Sequence, residues 1–159
     1  MARPAIPTAA NDWHGAHVER LCQSYARLTG RVLLPPAPAG RTRGEAAFLA
    51  PFALLSHGLE DDPLFNYGNQ TALRLFEFDW DTFMLLPSRA SAAPLNQDAR
   101  ARLMQRVREQ GYLDDYRGTR VARSGRRFVI EQATVWNVVD ADGAYHGQAA
   151  TFARWHDEG

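Results

Sequence analysis

The segment from Phe52 to Arg89, FALLSHGLEDDPLFNYGNQTALRLFEFDWDTFMLLPSR, constrains the fold of this chain more than any other. Phe52 to His57 is an apolar run of strand length that starts just after Pro51, a residue confined to strand edges and ends. GLEDDP turns the chain between Gly58 and Pro63, and LFNYG supplies a second short strand, so the segment opens as a hairpin. Asn69 follows at once, with a side-chain oxygen able to accept from the free N–H groups of a first helical turn, and NQTALRLFE continues with Leu73 and Phe76 on one side. Asp79 caps a further short helix, WDTFMLL, which presents Trp80, Phe83 and Met84 together. An isolated two-stranded hairpin is barely stable in water, so other strands of the chain must complete the sheet.

Those strands lie after residue 112. LDDYRGTRVAR, RRFVIEQATVWNVVD and AYHGQAATFARW read as three extended segments separated by the turn sequences SGR and ADG. Before them, QDARARLMQRVREQGY predicts a longer helix, capped by Asn96, stopped by Gly111 and turning Leu103, Met104 and Val107 inward. On the middle strand, strict alternation puts Phe128, Ile130 and Trp136 on one face with Gln132 and Thr134 between them, polar groups on an apolar face that point to a pocket. The predicted fold class is α+β, a five-stranded antiparallel sheet with short helices on one face.

At the other end, Val18, Leu21, Cys22, Tyr25 and Leu28 recur at intervals of three and four, which predicts a helix over Asn11 to Leu28 capped by Asn11 or Asp12. RVLLPPAPAGRTRGE then breaks regular structure. The expected organisation is an N-terminal amphipathic helix with a Pro/Gly-rich linker over 1–44 and the main domain over 45–159. An amphipathic stripe has to be covered by its own domain or by a second copy, and a homodimer through this helix is the expectation.

Composition narrows the chemistry. All 18 basic residues are Arg, so Schiff-base formation, a P-loop ammonium and pyridoxal phosphate attachment are excluded. Cys22 is the single cysteine and forms no internal disulfide. The 159 residues fit one domain, 45% of them apolar but with no run long enough for a membrane span, and the opening residues lack a secretory apolar core. A cytoplasmic protein without a membrane partner is expected. Arg100, Arg102, Arg106 and Arg108 cluster in ARARLMQRVREQ, but Asp98 and Glu109 bracket them and the net charge is zero, so no nucleic-acid partner is expected.

The order of two strands, short helices, a longer helix and three strands is similar to that of PAS sensor domains. More narrowly, SHGLEDDPLFNYGNQTALRLFEFDWDTFMLLPSRASAAP, DDYRGTRVARSGRRFVIEQATVWNVVDADG and YHGQAATF resemble the PAS-related MEKHLA domain family, over roughly Asp12 to Arg154. That family occurs as small stand-alone bacterial proteins and at the C-terminus of plant homeodomain-leucine zipper proteins; this chain has neither of those other modules. The resemblance implies a sensory or regulatory domain with no catalytic residues and with its ligand unassigned. It places Asn69 where PAS domains commonly carry the Asn that opens the first helix after the hairpin. Flavin-dependent light sensors of this fold use a Cys on a central helix, absent from NQTALRLFE, and haem-binding ones use a histidine, absent between Gly58 and Val139.

The expected function is therefore binding of a small molecule of unknown identity between sheet and helices, by Phe76, Trp80, Phe83 and Met84 from the helices, Arg89 from the loop, and Tyr116, Phe128, Gln132 and Trp136 from the strands. One alternative is a protein-interaction module without ligand. Another is a small enzyme using His57 as a base beside Asp61 and Asp62, although no Ser or Cys nucleophile is paired with it by any motif. His14 and His17, three apart, are two ligands short of a metal site. In LDDYRG, alternation sets Asp115 with Arg117 and Asp114 with Tyr116, and Arg89 is a candidate partner for a buried carboxylate there.

Overall fold

The computed structural model describes residues 3–92 and 97–158, so the expected cap Asn96 lies outside the described residues. Its elements are α1 (Gly15–Thr29), α2 (Arg43–Phe48), β1 (Ala53–His57), β2 (Phe65–Gly68), α3 (Gln70–Phe76), α4 (Trp80–Phe83), α5 (Gln97–Gln110), β3 (Tyr112–Val121), β4 (Arg127–Val139), β5 (Tyr145–Phe152) and β6 (Arg154–Asp157). The strands form one antiparallel sheet in the order β2-β1-β5-β4-β3, with β6 paired to β4. β5 bends at the exposed Ala153, and β6 carries on along the first part of β4, from Glu131↔Arg154 to Phe128↔Asp157. A single bent strand thus accounts for the sixth element where five were expected.

Asn69 joins the hairpin to the helices. It is fully buried. Its Oδ1 accepts from Ala72 N at 3.0 Å, the helix cap read from sequence, and also from Leu54 N at 3.1 Å. Its Nδ2 donates to Ala47 O at 3.0 Å and Phe52 O at 2.8 Å. One amide therefore ties α2, the entry to β1, β1 itself and α3. α2 was not expected; its signature is the Thr42-x-x-Glu45 spacing, and Thr42 Oγ1 accepts from Glu45 N at 3.1 Å.

The two faces of the sheet carry different helices. α1 lies across one of them: Tyr25 meets Trp136 edge-on at 5.0 Å, and Ser24 Oγ both donates to Val139 O at 2.6 Å and accepts from Val139 N at 2.9 Å. Val18, Leu21, Cys22 and Tyr25 are buried there, so the chain itself covers the stripe of α1. The helix starts at Gly15, because Asp12, Trp13 and His14 adopt positive φ of 56°, 53° and 56° as the ring of Trp13 turns onto Phe48. The opposite face is covered by α3 and α5, with Phe76 edge-on to Phe128 at 5.2 Å and Leu103 and Val107 packed against Val135.

Two bulges interrupt the β3–β4 ladder. Leu113 pairs with Val135 and Tyr116 with Ala133, leaving Asp114 and Asp115 opposite Thr134; Gly118 then pairs with Ile130, leaving Glu131 and Gln132 opposite Arg117. Asp115 and Gln132 stand at φ 55° and 54°, the left-handed geometry of an inserted residue. Each bulge reverses the alternation of the strand that carries it.

Asn69→Ala is expected to lower stability by about 3 kcal/mol, since several buried donors and acceptors lose their partner together. A lower urea midpoint at unchanged slope would show it; a loss below about 1 kcal/mol would remove the hub role. At the exposed Gln132, replacement by Gly is expected to be neutral or stabilising, and by Val destabilising by about 1–2 kcal/mol, because a β-branched residue resists positive φ. Thermal unfolding of the two variants tests the bulge, and the reverse order would contradict it.

Candidate functional site

A cavity of about 60 Å³ lies between the sheet and α3 and α5. Leu55, Phe76, Ile130, Val135 and Phe152 give it apolar walls, and His57, Ser88, Arg100, Tyr116, Arg120 and Gln148 give it polar ones. Ile130 and Val135 both reach it although an odd number of positions separates them, which the bulge at Gln132 makes possible. Leu55 and His57 come from alternate positions of β1, opposite Ala150 and Gln148 of β5.

The residues expected to bind a ligand are dispersed. Phe76 and Tyr116 line the cavity. Phe128 packs behind Phe76, and Phe83 stacks on the lining residue Phe65 at 4.1 Å, with the buried Met84 next to it in the chain. Trp80 lies towards α2 and the N-terminal segment instead: its ring faces His14, Phe48 and Tyr67, and Nε1 donates to Pro4 O at 2.8 Å. The expectation that Phe128, Ile130, Gln132 and Trp136 share a face is corrected, since the bulge turns Gln132 outward into solvent and Trp136 towards α1. Arg89 grips Asp62 with two prongs, Nε to Oδ1 at 2.9 Å and Nη2 to Oδ2 at 3.0 Å, rather than an acid of β3. The bulge at Asp115 likewise separates Asp114 from Tyr116: Asp114 accepts from Thr134 Oγ1 at 3.0 Å and pairs with Arg31 at 3.0 Å outside the cavity.

Arg100, Arg120, Ser88 and Gln148 were not foreseen, though part of the pattern is present in the sequence. Arg100, Leu103, Met104 and Val107 fall at i, i+3, i+4 and i+7, so an arginine occupies the inward stripe of α5. Arg120 follows Tyr116 and Gly118 on one side of β3. Arg100 Nη2 donates to Ser88 Oγ, and burial followed by the nearby charge of Arg120 pushes its guanidinium down to about 10. Gln148 Nε2 donates to Met104 O at 2.8 Å, fastening β5 to α5. His57 Nδ1 donates to Gly58 O at 3.2 Å, its buried Nε2 has no hydrogen-bond partner, and burial holds the ring below the usual histidine range.

On the far side of the sheet, Ser56 Oγ donates to Asn66 Oδ1 at 2.5 Å and must accept from His17 Nε2 at 2.9 Å. His14 Nε2 instead donates to Ala5 O at 2.7 Å, so the two histidines engage different partners, and no cluster of three metal-ligating side chains occurs among the described residues. No helix among the described residues is long and apolar enough to cross a membrane.

The cavity is well below the roughly 300–1,000 Å³ of sites that enclose drug-sized ligands, and the rings of Phe65, Phe76 and Phe83 occupy the interior beside it. The residues present therefore do not fit a flavin or a haem. Cys22 is on α1, across the sheet from the cavity.

A family model described as the MEKHLA domain matches residues 15–157. Homeobox-leucine zipper protein HOX29 of Oryza sativa subsp. indica is 28% identical over 142 residues, covering 85% of this chain and 16% of that protein. Homeobox-leucine zipper protein ATHB-9 of Arabidopsis thaliana is 32% identical over 96 residues, covering 58% of this chain and 11% of that protein. The chain thus spans less than a fifth of the length of these relatives. Among solved structures, the PAS domain of a protein from Colwellia psychrerythraea matches with a TM-score of 0.61 at 14% identity, over 73% of this chain and 93% of that one. The light-state dimer of the fungal blue-light photoreceptor Vivid matches with a TM-score of 0.54 at 14% identity, over 81% and 90%. These likenesses establish a PAS-like fold.

His17 makes acid sensitivity testable. Burial, followed by the charge of Arg20, lowers its pKa from 6.5 to about 4. The unfolded chain then takes up a proton that the fold refuses, so this contribution to stability is complete above pH 6.5 and is lost as pH falls from 6.5 to about 4. His17→Gln, which can still donate to Ser56, is expected to lose less stability than the parent across that window in urea titrations. Parallel pH profiles for the two proteins would contradict the assignment.

Proposed function

The chain belongs to the MEKHLA domain family, and from that membership and the cavity beneath α5 we propose that it is a sensory or regulatory domain that binds a small molecule between the sheet and its helices. The observation that carries this reading is the mixed lining: apolar walls interrupted by side chains whose polar groups the chain leaves only partly satisfied. The ligand would touch α3, α5, β1, β4 and β5 together, so that occupancy favours one arrangement of helix against sheet.

The signal would leave through α1. Leu55, Ser56 and His57 all line the cavity, and the Ser56 hydroxyl accepts from His17 of α1. A shift of β1 thereby reaches the helix through one hydrogen bond. In this reading the homodimer forms through α1 after the helix loosens from the sheet, since its apolar stripe is covered in the resting chain. The domain acts in the cytoplasm by binding rather than by catalysis, with His57 as a wall of the pocket.

Ala150→Leu, which extends a lining side chain into the cavity, tests this reading. Mass spectrometry of the denatured parent protein is expected to reveal a copurified small molecule that the variant lacks, with both proteins folded by circular dichroism. If the parent releases no molecule and its melting temperature responds to none in a metabolite panel, the cavity is not a sensory site.

A further inference from the structure

Arg100 and Arg120 meet at one small cavity, with no acid on its walls among the described residues. Arg120 is only 8% exposed; its Nη1 donates to Thr119 O at 3.0 Å and its guanidinium lies over the Tyr116 ring at 5.4 Å. Arg100 has Ser88 Oγ as its hydrogen-bond partner. A guanidinium carries five N–H donors in a rigid fork, so both retain donors that the described residues do not use. Among the described residues, no Asp or Glu lines the cavity. Asp62, whose field reaches Arg100, is itself gripped by Arg89. Two neighbouring cations, Arg120 buried and Arg100 half-buried, are costly to keep without a counter-charge, and a protein interior normally pairs such groups.

We propose that the cavity is the receptor site for a short-chain monocarboxylate, its oxygens taken by Arg100 and Arg120 and its alkyl end packed on Phe76, Ile130 and Val135. A planar carboxylate matches the guanidinium fork, and it supplies the missing negative charge. About 10–15 Å³ of such space holds one water, so the cavity of about 60 Å³ has room for about four to six water-sized groups, which limits the ligand to a few heavy atoms. A phosphate would match the charge, but it brings no alkyl end to cover the apolar walls of Phe76, Ile130 and Val135. The inference rests on the sensory reading above and names the chemical class of what that site takes.

Propionate is the probe, propionamide its neutral isostere, and inorganic phosphate an anion without an alkyl end. Calorimetric titration and thermal shift on the full chain at fixed ionic strength are expected to show one propionate per chain and a raised melting temperature. Propionamide and phosphate should bind at least about thirtyfold more weakly, as should propionate to Arg100→Met or Arg120→Met. Ligand-free Arg120→Met should melt no lower than the parent, because an unpaired buried charge has been removed. Should Arg120→Met fail to fold, Arg120→Gln serves the same comparison. Equal binding of propionamide and propionate, or tighter binding of phosphate, overturns the carboxylate assignment and leaves the cavity a binding site. Absence of binding by all three, in protein shown by mass spectrometry to carry no other molecule, overturns the carboxylate assignment, and the sensory reading falls with it when the metabolite panel also leaves the melting temperature unchanged.

Discussion

The buried amide of Asn69 is the point on which the rest of the structure depends. A hairpin and a short helix have little reason to hold a fixed angle, because each buries too little apolar surface to define it alone. Asn69 removes that freedom by spending all its hydrogen-bonding capacity on backbone groups of separate segments, Ala47 and Phe52 carbonyls on one side and Leu54 and Ala72 amides on the other. Backbone polar groups at the junction would otherwise be buried without partners, a condition that folded proteins avoid. With α3 fixed against β1, Phe76 stands over β4 and one wall of the cavity is in place.

The order of strands and helices along the chain from β1 onward was legible because it rests on short-range signals: Asn69 and Asp79 as caps, glycine-containing turns, and the stripe of α5. The cap at Asn69 is a local bond to Ala72, whereas its other partners come near only through the fold, so the sequence showed the cap and concealed the hub. The faces of β3 and β4 were illegible for a different reason. Alternation propagates from residue to residue, and a single left-handed residue, Gln132 or Asp115, reverses everything beyond it. Gln is not a residue whose presence announces positive φ, as Gly would. Trp136 and Gln132 therefore moved out of the expected pocket while Val135 moved in.

The polar groups on the two faces differ in charge. Beneath α1, the row from His17 through Ser56 to Asn66 satisfies its members in sequence and burial keeps the imidazole neutral, while the Tyr67 hydroxyl and the Trp136 indole N–H are buried there without a hydrogen-bond partner. Such a closed row fixes the helix in place. Beneath α5, guanidiniums line a space without acids, and their fields act on each other. Departures from local consistency of this second kind are expected where a site serves function rather than stability. What sets the cavity apart from the α1 interface is the pair of guanidiniums on its walls, and that is why an anionic ligand belongs there in the proposed reading.

That assignment has a mechanical consequence. β1 and β5 separate the cavity from α1, and their contact is close: a Cβ on Gly147 would lie 2.0 Å from the carbonyl oxygen of His57. At φ 129°, Gly147 adopts a backbone geometry that other residues rarely take, so the chain has placed its most permissive residue where the two strands crowd together. Packed interiors do not deform gradually, and a displacement of His57 has no slack to absorb it at this point. The strand must instead carry the displacement along to Ser56, whose hydroxyl accepts from His17. A cavity holding only a few heavy atoms suits such an arrangement, because a small ligand changes the charge between the arginines without opening a lid, and the nearest strand able to respond is β1, whose Ser56 is hydrogen-bonded to α1.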